Sequence, residues 1–161
     1  MVRTLLVVLI LLAPGFDLRA QDVIDQRVSI LRAAALHAAR VASDETGQRV
    51  TVFDVHPSSA SAEDAPGLQV LAAELGRSAA KLDEIVTCDG VAACRSVDGS
   101  RAGFELSGVR LQGEEGSARL ETWFLQGQPG SLSLRERVDQ VHLVGSDGVW
   151  SVVDFRTLPP P

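Results

Sequence analysis

Hydrophobic and polar positions follow two different periods along this chain. From Ile24 the apolar residues Val28, Leu31, Ala35, Ala38 and Ala42 recur at helical spacing, after Asp22 as a cap and Asp25 in the first turn. The spacing predicts an amphipathic helix from Asp22 to about Ser43, whose small second half lets another element approach closely. Asp44-Glu45-Thr46-Gly47 is the expected stop, with glycine past the C-terminus. Val50-Thr51-Val52-Phe53-Asp54-Val55 reads as a strand because β-branched residues dominate it. Further on, Leu68, Leu71 and Leu75, then Leu82, Ile85 and Val86, suggest a second helix broken at Gly76, spanning Pro66–Leu75 and resuming at Ser78.

From Phe104 onward the period changes to two. Phe104 and Leu106 are followed by Val109 and Leu111, a change of parity at Gly108 that predicts a β-bulge. In the next strand Ala118, Leu120 and Phe124 share one face and Trp123 and Leu125 the other. The best-defined unit is a closing hairpin, with Arg135–Val144 and Val149–Thr157 flanking Gly145-Ser146-Asp147-Gly148. Its registers set Val144 beside Val149 or Ser151. Strict alternation puts Val138, Gln140, His142, Val144, Val149, Ser151, Val153 and Phe155 on one face. The opposite face receives Arg137, Asp139, Val141, Leu143, Trp150, Val152, Asp154 and Arg156. The expected fold is one α+β domain, an N-terminal helix and a broken second helix packed on a mainly antiparallel sheet of about five strands.

The first twenty residues belong to a different problem. Met1-Val2-Arg3 is a charged start, and Thr4–Leu12 is an uncharged apolar run too short to cross a hydrocarbon core of ~30 Å. With Leu18-Arg19-Ala20 before Gln21, residues 1–20 read as a signal peptide. The mature domain then spans 21–158, 159–161 is a disordered tail, and no membrane span is expected after cleavage. Secretion or a periplasmic location follows. In an oxidising compartment Cys88 and Cys94, the only cysteines, read as one disulfide. Its small loop is worth roughly 2.4 kcal/mol on chain entropy. The spacing fits neither Cys-x-x-Cys redox chemistry nor a zinc site, and no metal or cofactor is expected.

Charge narrows the partners. The net charge is −6 and no basic run is present, so nucleic acid is not expected, and a protein or small-molecule partner remains. The sequence contains no Tyr, no HExxH, no GxSxG and no phosphate-binding glycine loop. Within the hairpin, Arg137, Asp139, Asp154 and Arg156 form a quartet of alternating sign with Trp150 beyond it. Read functionally, they are the polar end and apolar wall of a ligand pocket; read plainly, they are solvated ion pairs. His142 sits among valines and His37 off the main helical stripe. Asp54 and His56 share a strand side, the spacing of an acid/base pair, with Ser58 and Ser59 as nearby hydroxyls. No catalytic residue is assigned. The expected role is a non-catalytic exported binding or interaction module; the alternative is a small-molecule-binding protein or enzyme with a pocket over the Trp150 face.

The layout, ending in Gly148-Val149-Trp150-Ser151-Val152-Val153, resembles a group of uncharacterised exported bacterial proteins. It is also similar to the nuclear transport factor superfamily, which implies an α+β cone with a curved sheet around helices. Ketosteroid-isomerase-like members of that superfamily use a Tyr with acidic residues. This chain has no Tyr, so no catalytic residue carries over.

Overall fold

The computed structural model describes residues 15–48, 54–55, 86–90, 93–96, 99 and 101–159. Helix α1 (Gly15–Thr46) lies across a sheet of β1 (Asp54–Val55), β2 (Val86–Cys88), β3 (Cys94–Ser96), β4 (Ala102–Gln112), β5 (Glu115–Gln128), β6 (Ser131–Ser146) and β7 (Val149–Thr157). The strand order is β1-β4-β5-β6-β3-β2, with β7 also on β6. Every pairing is antiparallel except the short parallel contact of β1 with β4.

This corrects the expected fold class. Among the described residues a single α-helix packs on a curled antiparallel sheet, not two helices. Most of the span read as a broken second helix, 66–85, lies outside the described residues. Its last turn does not: Val86-Thr87-Cys88 is strand β2, paired with β3 as Val86↔Ser96, Thr87↔Arg95 and Cys88↔Cys94. Two β-branched or sulfur-bearing residues follow Val86, and a Cys88–Cys94 disulfide closes the two strands into a ribbon. Val86 then packs against Trp123 and Leu125 instead of a helix stripe. The sheet has seven strands among the described residues, the added ones being only two or three residues long.

Helix α1 begins earlier than Asp22 and ends later than Ser43. It runs 32 residues, about 48 Å at 1.5 Å per residue, and the bond after Ala20 falls within it. Gly47, at φ +64°, closes it in the left-handed conformation that glycine adopts without Cβ strain. No helix among the described residues is long and apolar enough to span a membrane. The alanine-rich face does what its size permits. Ala34, Ala38 and Ala42 are fully buried, so the backbone comes close to Phe104, Leu120, Val141 and Leu143 of the sheet. Each large apolar side chain buried this way contributes roughly 1.5–3 kcal/mol.

The predicted bulge is present. Ser107 pairs with Arg119 and Arg110 with Ser117, leaving Gly108 and Val109 opposite Ala118, with Gly108 at φ +60°. Val109 thereby rejoins the core side. The two faces of β5 separate as expected: Ala118, Leu120 and Phe124 meet α1, while Trp123 and Leu125 join Val86 and Cys94 on the other side. The closing hairpin turns through Asp147 and Gly148, both at positive φ, in the two-residue geometry that matches strand twist. Val144 stands opposite Ser151, one of the two registers anticipated.

Candidate functional site

A second bulge, without any glycine, decides what the hairpin presents. His142 pairs with Asp154 but Leu143 pairs with Val152, so Val153 is an extra residue in β7. Beyond it the alternation is reversed. Phe155 stands opposite Val141 and Thr157 opposite Asp139, on the helix side; Asp154 and Arg156 stand opposite His142 and Gln140, facing away.

The quartet of Arg137, Asp139, Asp154 and Arg156 is therefore split between two faces. Only Arg137 and Asp139 remain together beneath α1. Trp150 is on their side, but its partner Gly145 lies six residues along β6 from Asp139, about 20 Å away. Its indole is core: a Cβ on Gly145 would lie 2.9 Å from the ring, so glycine at that position makes room for it. His142 is exposed on the outer face. Asp54 is placed in β1, but its side chain and His56, Ser58 and Ser59 lie outside the described residues.

What the fold assembles instead is centred on His37. Its Nε2 lies 3.2 Å from Asp139 Oδ2, with both side chains buried. The other carboxylate oxygen accepts from Arg137 Nε at 3.1 Å and from Thr157 Oγ1 at 2.8 Å. Arg137 Nη1 continues to Glu45 Oε1 at 3.2 Å, tying β6 back to the end of α1. Arg40 Nη2 is 3.4 Å from His37 Nδ1. Phe155 covers the group: its ring meets His37 edge-on at 4.8 Å, and the guanidinium carbons of Arg40 and Arg137 stand 5.5 and 5.4 Å from its centroid.

These partners select one protonation state. A carboxylate only accepts, so His37 Nε2 carries its hydrogen; a guanidinium only donates, so Nδ1 offers its lone pair. The ring is a neutral tautomer fixed from both sides. Burial lowers the His37 pKa below its ordinary value of 6.5; the hydrogen bond and charge of Asp139 act upward, and the charges of Arg40 and Arg137 act downward again. A general base needs a free lone pair aimed at a substrate proton, and here that lone pair faces Arg40. The arrangement is suited to fastening α1, β6 and β7 together.

His37 and Asp139 were individually visible in the sequence, but nothing local links residues 102 positions apart. The usable signal was His37 at i+7 from Ile30 and i−4 from Val41, on a second apolar stripe.

The outer edge of β7 has its own features. Among the described residues β7 pairs only with β6. Two of its backbone donors are occupied by side chains: Trp150 N–H by Ser29 Oγ at 2.9 Å, and Phe155 N–H by Asp154 Oδ1 at 2.8 Å. Around this edge Leu36, Val149, Val153 and Phe155 are 67%, 65%, 57% and 39% exposed. Clefts flank the turn end of Trp150, the larger of about 480 Å³ between Ile24, Val28, Ser29 and Arg32 of α1 and Val149 of β7.

Among the described residues no group of His, Cys, Asp and Glu is arranged to hold a metal ion. Comparison of the chain with protein-family models, with curated proteins and with solved structures finds no match.

Proposed function

We propose that this chain is an exported, non-catalytic interaction module that meets a partner polypeptide through the apolar rim where α1 and β7 adjoin. The single observation that carries this reading is the exposure of Leu36, Val149, Val153 and Phe155 around one strand edge. Large apolar side chains scattered singly are ordinary, but a group along one edge marks a contact surface. The contact is through side chains. Strand addition needs free backbone donors on a flat edge, whereas two donors of β7 are capped and Val153 bulges it. Export is supported by the Met1–Ala20 leader pattern and by a disulfide, which persists in oxidising compartments.

The experiment is site-specific photo-crosslinking of the exported chain in living cells. A photoreactive residue at position 36, 149 or 153 is expected to give discrete adducts, and one at 119 or 140 on the outer face none. Equal labelling from both faces, or none from the rim, overturns the reading.

A second reading keeps the small-molecule alternative and the likeness to the nuclear transport factor cone. It draws on the cleft of about 480 Å³ beside Trp150. A retained small molecule in native mass spectra, lost when Val28 is changed to Trp, favours it over the first.

A further inference from the structure

We infer that the end of β7, Phe155–Leu158, is a latch fastened to α1 through neutral His37 and set to open on acidification. The inference deepens the proposed interaction surface, since opening uncovers Phe155 and the adjoining stripe of α1. It rests on that reading only for its use, because a latch opens with or without a partner.

The fastening is local and polar. Residues Asp154–Thr157 are exposed, so little apolar burial holds them. Their attachments on the helix side are the Phe155 ring against His37, Arg40 and Arg137, and the Thr157 hydroxyl on Asp139. Leu158 N–H adds a bond to Val138 O at 2.8 Å. All of these follow from the extra residue Val153, which turned Phe155 and Thr157 inward.

Among the described residues, the charges facing His37 come from two elements. Helix α1 contributes Arg40, and β6 contributes Asp139 and Arg137, the latter paired with Glu45. Strand β7 contributes none, since Asp154 and Arg156 face away, and the helix-side residues of β4 and β5 nearest the core, Phe104, Leu120 and Thr122, are uncharged. A proton on Nδ1 removes the acceptor for Arg40 and sets two donors against each other. It also adds a buried positive charge beside two guanidiniums, with Asp139 as the sole opposing carboxylate in contact among the described residues. Opening returns the ring to water, where it protonates near its ordinary value of 6.5.

The direction follows from linkage. The closed state holds His37 below its free pKa, so closure is complete above about pH 6.5 and weakens as pH falls through the closed-state value. Each unit of that difference makes acid opening about tenfold easier.

Amide hydrogen exchange by NMR, corrected for intrinsic rates, tests this at pH 7.5 and 5.0 on the mature chain. Exchange of residues 156–158 is expected to be faster at pH 5.0 than at pH 7.5 while β4 and β5 stay protected. His37→Gln, which keeps a donor for Asp139 and an acceptor for Arg40 but does not titrate, is expected to abolish the change. If that variant does not fold, Arg40→Gln serves, and is expected to shrink the response because a charge opposing protonation is gone. Equal protection at both pH values in the unaltered chain overturns the latch. So does an unchanged acid response in the folded His37→Gln or Arg40→Gln protein, or a loss of protection throughout the sheet at once. Absence of a crosslinked partner leaves this result unaffected, so the two readings fail separately.

Discussion

Thr157 donates its hydroxyl to Asp139 at 2.8 Å, although alternation along β7 from Trp150 would point Thr157 away from that carboxylate. One inserted residue, Val153, reconciles the two. Asp139 thereby collects three donors, from α1, β6 and β7, while 1% exposed.

Replacing Asp139 by Ala is therefore expected to be among the most damaging changes in the chain. It leaves His37 Nε2–H and the Thr157 hydroxyl without their acceptor and a half-buried guanidinium with one partner fewer. The loss expected is about 3 kcal/mol, the low end for breaking a buried ion pair, since Arg137 can still reach water and Glu45. Urea unfolding with an unchanged slope measures it.

Thr122 offers a change in the opposite direction. Its side chain is fully buried opposite Arg137, and its Oγ1 has no hydrogen-bond partner. Valine has nearly the same shape and no hydroxyl to desolvate. Thr122→Val is expected to stabilise the fold by about 1 kcal/mol, read as a raised unfolding midpoint.

Gly103 faces Trp123 across the β4–β5 pair, and a Cβ there would overlap the indole ring. Trp123 is buried against Val86, Cys94 and Leu125 and cannot swing aside freely. Gly103→Ala is expected to cost roughly 1–3 kcal/mol by overpacking, with a shift in tryptophan fluorescence.

Glu121 carries a pH-dependent prediction on the outer face. Burial raises its pKa above the ordinary 4.5, the charges of Glu105 and Glu136 add to this, and Arg119 opposes it. A carboxyl raised in the folded state weakens the fold as pH rises from about 4.5 through the folded value. Glu121→Gln is expected to raise the melting temperature at pH 7 and to give no gain near pH 3.5. The size expected is about 0.2–1 kcal/mol, that of a like-charge pair directly across two strands, here Glu105↔Glu121.

The elements legible in the sequence were those whose cause is local. Gly108 announced its bulge because parity switched there and glycine accepts φ +60°. Asp147-Gly148 announced the turn, and Gly47 the helix end. The helical reading of Val86 failed because a leucine stripe continues through it, while the contact that holds it as a strand comes from Trp123, far along the chain. The split of the quartet was not legible for a related reason. Val153 is an ordinary β-branched residue, so neither its backbone nor its neighbours signal an insertion.

What the amino-acid sequence by itself determined was periodicity, turn chemistry and the pairing of its two cysteines, because each depends on residues within a few positions of one another. Only the tertiary structure decided which side chains share the space under α1. His37, Asp139 and Thr157 come from three elements, and the register of β6 on β7 that turns Thr157 toward Asp139 and sets the Phe155 ring against His37 brings together groups that meet only once the sheet is formed.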